Sequence, residues 1–225
     1  MWSSYKKYVW RVMVFYIERW YNIFLGGEFV TLRKWFKLFW QALLVGAVVS
    51  VATGIVLSFE DGGISFNGFS DYVVYFVILF GYGVLASVYS QLGFFAYLIL
   101  NYMGNGVFSK KGWQYIQMVL TVLALLELMF FRTFVGGQAG QSSDLILSIV
   151  ILVVAIITAL YKARMTNISA WIPTLFFMIG VTIIEIVGGL KINVDNATAF
   201  IVIPLLACNA FQILILHRVV QTEKS

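Results

Sequence analysis

Histidine and cysteine each occur once in this chain and proline only twice. A single cysteine, Cys208, rules out a disulfide within one chain. With only His217 beside it, a structural zinc site of His and Cys ligands is also excluded within one chain. His217 ends an apolar run next to Arg218, with no serine motif around it, so a hydrolase with a histidine base has no residues to build from. Charge is scarce as well: 11% of residues are charged against 61% hydrophobic, and the mean hydropathy is +0.92. So few polar groups cannot cover a water-soluble domain of this size. Strict alternation of apolar and polar residues, the mark of a membrane β-barrel, is missing too; "ILSIVILVVAIITALY" is continuously apolar. The expectation is a protein that is not an enzyme, with no catalytic, cofactor-binding or metal site and no cofactor.

What is present is long apolar stretches. A bilayer core about 30 Å thick needs about 20 apolar residues per helix. Six stretches qualify: Phe36 to Phe59, Tyr72 to Leu98, Trp113 to Phe134, Leu145 to Tyr161, Trp171 to Leu190 and Ala197 to Leu216. The expected fold is all-α, a polytopic membrane protein of six transmembrane helices in a lipid bilayer. Lys and Arg in the short connections set the orientation. All of them except Arg132 and Lys191 fall on the amino-terminal side, Lys162 and Arg164 included, while Glu60, Asp61, Asp71, Asp144 and Asp195 collect opposite. Both termini are therefore expected in the cytoplasm, with the loop Asn105 to Gly112 on that side and Glu60 to Asp71 outside. The pI near 9.3 follows from this topology and needs no nucleic acid as partner.

The first 30 residues are too interrupted by charge to span. At roughly 100° per residue, Ser4, Lys7, Arg11 and Glu18 share a narrow face, and Trp2, Trp10, Phe15, Tyr16, Trp20 and Phe24 fill the rest. This pattern predicts an amphipathic helix in the membrane interface over residues 1–30, lying on an anionic leaflet or docked to a partner. Residues 31–220 then form the six-helix bundle and 221–225 a cytoplasmic tail. Gly136, Gly137 and Gly140 with Ser142 and Ser143 read as a flexible external loop.

Small residues recur every four positions in the first two spans. Ala42, Gly46, Ser50 and Gly54 lie in one, Gly83, Ser87 and Gln91 in the other. Such spacing lets helix backbones approach closely, either within the bundle or against another membrane protein.

Two acids interrupt the apolar runs. Glu127 and Glu185 both sit past the middle of outward-running spans, so at 1.5 Å per residue they are expected at similar depth in the outer half. Thr174, Met178, Thr182, Glu185 and Gly189 share one side of the fifth span and should face the interior. Because an ionised residue at mid-membrane costs roughly 2.5–3.5 kcal/mol, each glutamate should either pair across helices with Arg132 or Lys191, or carry a proton. Two roles fit: a buried post that fixes helix register, or a sensing or ion-handling group. Gln41, Gln91, Asn209 and Gln212 form a second polar layer expected near the cytoplasmic ends, where interhelical amide bonds would act as glue.

"YSQLGFFAYLILNYMGNGVF", Tyr89 to Phe108, and "PLLACNAFQILILHR", Pro204 to Arg218, resemble the KinB-signalling pathway activation proteins, KbaA, of spore-forming bacilli. "ATGIVLSF" near the exit of the first span fits the same family. The resemblance covers roughly Trp35 to Val220 and rests on Ser90, Gln91, Gly93, Phe94, Phe95, Asn209, Gln212, His217 and Arg218; the first 30 residues look like an extension. It implies a cell-membrane protein that promotes signalling by a multi-spanning sporulation sensor histidine kinase upstream of the phosphorelay, with no catalytic residues. Contact between helices is the simplest means, through Gly46, Ser50, Gly54, Gly83, Ser87 and Gln91. The competing class is a small transporter or channel with Glu127 and Glu185 as a proton or cation site. The sequence leaves open the oligomeric state and the physiological signal.

Overall fold

The computed structural model describes residues 32–60, 68–135, 142–189 and 197–220. The amphipathic segment 1–30, the tail 221–225 and the glycines of 136–141 lie outside the described residues. The helices are α1 Leu32–Glu60, α2 Phe69–Val107, α3 Lys110–Val135 and α4 Ser142–Met165, then α5 Trp171–Phe176, α6 Thr182–Gly189 and α7 Ala197–Val220. A 3-10 turn, Ile168–Ala170, leads into α5, and a π turn, Phe177–Val181, joins α5 to α6. Among the described residues six helical stretches are long and apolar enough to cross a membrane, and each overlaps one of the six expected runs.

Backbone approach sets the first hairpin. Tyr75 Oη donates to Gly54 O at 3.0 Å, Ser50 Oγ to Leu79 O at 2.8 Å, and Ser87 Oγ to Ala42 O at 3.0 Å. Trp35 then closes on Phe94 and Phe95, with ring centroids 6.4 and 5.6 Å away. One antiparallel register therefore runs the length of α1. At its centre a Cβ on Gly83 would overlap Gly46 O, and one on Gly46 would overlap Ser87 Oγ and reach Gly83 O at 2.6 Å. The small residues at four-residue spacing are thus consumed inside the bundle. Ser50 and Ser87 are fully buried, so this stripe is not a surface for another protein. The reason is local: Ser and Gly on both faces let two backbones meet, and serine hydroxyls satisfy themselves on the neighbouring carbonyls.

Helix α7 packs into the groove of this hairpin, parallel to α2. Cys208 Sγ lies 3.4 Å from Ser87 Oγ, and Ser90 Oγ donates to Asn209 Oδ1 at 2.6 Å. The helix runs on through Pro204, which removes the one amide that would reach back to Phe200. Helices α3, α4 and α5 gather into a second group. Between the groups lies the π turn, whose five residues Phe177, Met178, Ile179, Gly180 and Val181 are all buried. Phe177 packs its ring against Tyr97 and Phe94 of α2, with centroids 4.9 and 5.6 Å away.

In its helices and their connections the structure departs from the sequence expectation at three places. The fifth span is not one uninterrupted α-helix from Trp171 to Leu190; the π turn adds a residue, and the 3-10 turn starts it earlier, capped by Asn167 Oδ1 accepting from Ser169 N at 3.2 Å. The expected loop Asn105 to Gly112 shrinks to Phe108 and Ser109, because α2 continues for 39 residues, about 58 Å at 1.5 Å per residue. Gly104 makes the tight reversal possible, since the Trp113 indole occupies the place of its missing Cβ. Lys162, expected among the loop charges, is 5% exposed; its Nζ donates to Ile213 O at 2.6 Å and Leu214 O at 3.3 Å, tying α4 to α7.

The α1–α2 seam predicts unequal effects for two neighbouring glycines. Gly83→Ala forces backbones apart and should cost at the upper end of the about 1–3 kcal/mol typical of overpacking. Gly81→Ala, with nothing within 4 Å of the new methyl, should leave the melting temperature in detergent unchanged. Equal melting temperatures for the two variants would contradict the seam.

Candidate functional site

Polar groups inside an apolar bundle concentrate where α2, α6 and α7 meet. Asn209, fully buried, is the hub. Its Oδ1 accepts from Ser90 of α2, and its Nδ2 donates to Thr182 Oγ1 at 2.9 Å and to Glu185 Oε2 at 2.8 Å on α6. The amide geometry uses both donor and acceptor sides, so Asn209 joins three helices through one side chain. The π turn ends one residue before Thr182, and α-helical spacing from there puts Thr182 and Glu185 on one side.

Glycine makes room for the carboxyl. A Cβ on Gly93 would overlap Glu185 Oε1 and meet Val181 Cγ1 at 2.7 Å. The carboxyl therefore lies against the bare backbone of α2. Glu185 Oε1 is buried and has no hydrogen-bond donor among the described residues. In the low-dielectric interior such a group carries the full desolvation penalty, so the arrangement holds a single carboxyl by one amide.

A second polar level lies along α1, α2 and α7. Ser87 Oγ also donates to Gly83 O at 2.9 Å, and Cys208 Sγ reaches Ala42 O at 3.6 Å. Gln91 Nε2 reaches Phe39 O only at 3.4 Å. Gln91 Oε1 and both amide atoms of Gln212 have no partner among the described residues. Gln41 is partly buried on α1.

The expected residues therefore divide. Glu185, Ser90, Gly93 and Asn209 come together. The sequence reading assigns Asn209 to a cytoplasmic layer apart from the acids, but its direct bond to Glu185 puts the two at one depth. Reckoning depth from the middle of each apolar run fails because the runs are offset along their helices and the fifth contains the π turn. Glu127 is exposed on α3 and is not the buried post expected of it; its neighbour Leu128 takes the inward position instead. The side chain of Arg132, like Lys191, is outside the described residues. Phe94 is buried against Phe177, while Phe95 is exposed beside Trp35. At the end of α7, His217 Nδ1 lies 2.7 Å from Leu214 O and Arg218 is exposed, so both are ordinary helix-end residues. Sequence reasoning missed Lys162 as a strut and Gly93 as the seat of the carboxyl. The glycine inside "SQLGFF" was the available signal for the latter.

The cluster predicts that Asn209→Leu, which strands the Ser90, Thr182 and Glu185 groups, should destabilise the bundle by about 1–3 kcal/mol. Glu185→Gln keeps an acceptor for Asn209 and should cost much less, and Glu127→Gln, on an exposed position, should cost nothing measurable. Thermal unfolding in detergent checks the order; an Asn209→Leu protein as stable as the parent would contradict it.

Comparison with known proteins gives this geometry a family. The profile of the KbaA family, described as KinB-signalling pathway activation in sporulation, matches residues 46–219. The KinB-signaling pathway activation protein of Bacillus subtilis (strain 168) is 28% identical over 187 residues, covering 81% of this chain and 94% of that relative. No solved structure matches the chain. The matched region takes in the α1–α2 seam from Gly46, the Ser90 to Phe95 segment and the Asn209 hub, and on that extent of match the chain belongs to the KbaA family.

Proposed function

We propose that this chain is a non-enzymatic, multi-pass membrane activator of KinB-type sensor-kinase signalling, acting upstream of the phosphorelay by contact with the kinase. The observation that carries the reading is the family match over residues 46–219. The physical setting supports it. Large apolar side chains cover the outside of the described helices, Phe59, Phe69 and Val48 among them, as a bilayer requires. Their connections, where described, are turns of a few residues, so an activator of this build works through its helices and helix ends. A partner that binds the active arrangement of a kinase more tightly shifts its population, and only the difference in affinity counts.

Orientation follows from charge. Lys34, Lys37, Lys110, Lys111, Arg164 and Arg218 belong to one end of the bundle and Asp71 to the other, and the positive-inside rule supports a cytoplasmic side for the first group. Helices α1, α2 and α7 fill the glycine seam themselves, which supports a contact surface elsewhere on the bundle. The transporter reading required Glu127 and Glu185 as a joint site; Glu127 is exposed while Glu185 turns to Asn209, and no observation favours that reading.

Two measurements test the proposal. Deleting the gene in a strain that depends on the KinB-type kinase should depress phosphorelay output and delay sporulation, and unchanged output would refute the assignment. In a Cys208→Ala background, Ser70→Cys should react with an impermeant thiol reagent on intact cells while Ser109→Cys should not; the reverse pattern would invert the orientation.

A further inference from the structure

The interior of a helix offers a neighbouring side chain spare acceptors and no spare donors. Every N–H there is spent on the carbonyl four residues back, while each carbonyl oxygen keeps a second lone pair. Gly93 lies well inside α2, and Glu185 Oε1 occupies the place where a Cβ on Gly93 would stand. That oxygen therefore meets a stretch of backbone able to accept a hydrogen bond and unable to donate one.

The side chains around it do not change that balance. Asn209 Nδ2 serves Oε2 and Thr182 Oγ1, and the Ser90 hydroxyl is spent on Asn209 Oδ1. No donor among the described residues reaches Oε1. The π turn, α2, α3 and α7 pack against α6. The π turn has no ionisable side chain. On α2, Tyr89 is exposed and Tyr97 packs on Phe176 and Phe177. On α7 the Cys208 thiol is turned to Ala42 O and Ser87 Oγ, and on α3 Glu127 is exposed. Lys162, the buried lysine of α4, is spent on Ile213 O and Leu214 O. Among the described residues no ammonium or guanidinium is placed against the carboxyl.

We infer that Glu185 is a proton-binding site: in the closed junction its carboxyl is a neutral acid with the O–H on Oε1 facing the α2 backbone bared by Gly93, and loss of that proton opens the contact of α6 with α2 and α7. In the acid form Oε2 accepts from Asn209 and Oε1 donates, so each oxygen meets the kind of partner its side offers. In the ionised form Oε1 has only acceptors before it, a state that burial makes costly. Water must then enter between α6 and α2 to supply donors, and it takes up the proton that leaves. Closure and proton binding are therefore linked, and because the closed form holds the proton, rising pH favours the open one. Asn209 passes the change to α2, since the same amide holds Ser90. The inference does not depend on the activator reading.

Infrared spectra of the full chain at neutral pH, in a detergent free of carbonyl groups, test the bound proton. Both proteins compared carry Glu127→Gln, so that an acid on the outer face of α3 adds nothing. Introducing Glu185→Gln should remove the carbonyl stretch of a protonated acid, and in heavy water that band should move to lower frequency before it is removed. Loss of carboxylate bands in place of the acid band would overturn the proposal and leave an ion pair, with Arg132 or Lys191 as the cation, as the account of this carboxyl. Should Glu185→Gln fail to accumulate, the Glu127→Gln protein answers alone. With its glutamate carboxyls isotope-labelled, one resonance should keep the chemical shift of the acid form at neutral pH, and the absence of any such resonance would overturn the site. Amide exchange tests the linkage. As pH rises, Thr182–Gly189 should exchange progressively faster in the protein with Glu185 than in Glu185→Gln at the same pH, because the amide cannot ionise. Equal exchange at every pH would overturn the opening.

Discussion

Everything in the first half of the bundle depends on two backbones touching where neither residue has a side chain. Gly46 and Gly83 let α1 and α2 close until the space for a Cβ is taken by the opposite carbonyl. That approach brings the hydroxyls of Ser50 and Ser87 within reach of carbonyls across the hairpin, and it opens the groove into which α7 settles with Cys208 against Ser87. In lipid there is no hydrophobic drive between helices, so dispersion at close range and interhelical hydrogen bonds carry association. Substituting bulk at the seam would remove both together.

The two halves of the molecule are joined by different chemistry. The π turn fills the centre with Phe177, Met178 and Ile179, all nearly or fully buried. Asn209 then links α2 and α6 to α7 through three hydrogen bonds, and Lys162 links α4 to α7 through two backbone carbonyls. Helix α7 is therefore the element held by both halves. Its sequence, from Pro204 to Arg218, also contains one of the blocks that carry the family resemblance, and Asn209 within it is the hub of the polar cluster.

Much of this could be read from the chain. Apolar run length gives the six helices, and small residues every four positions give the α1–α2 contact surface, although periodicity alone does not say whether the partner is inside the protein. Glu185 was legible as inward-facing because Thr174, Met178 and Thr182 share its side. Glu127 was not legible as exposed: its neighbours are apolar on every side, so the sequence holds no contrast between a lipid-facing and a core-facing direction. The π turn left no composition signal, and Lys162 looked like every other basic residue at a helix end. The length of α2 was hidden because "NYMGNGVF" contains glycines and asparagines that read as a loop, whereas Gly104 serves the reversal and Asn101 the clamp on Trp113.

Among the described residues the packing of the first half begins at the seam where α1, α2 and α7 meet. The native chain holds one cysteine there, 3.4 Å from Ser87 Oγ, which makes the arrangement directly measurable. In a Ser87→Cys protein oxidised mildly in native membranes, a disulfide to Cys208 should form, and a cut made between α2 and α7 should leave the two fragments together until reductant is added. Two thiols that both remain open to alkylation after oxidation, with fragments that separate freely, would contradict the seam and the fold built upon it.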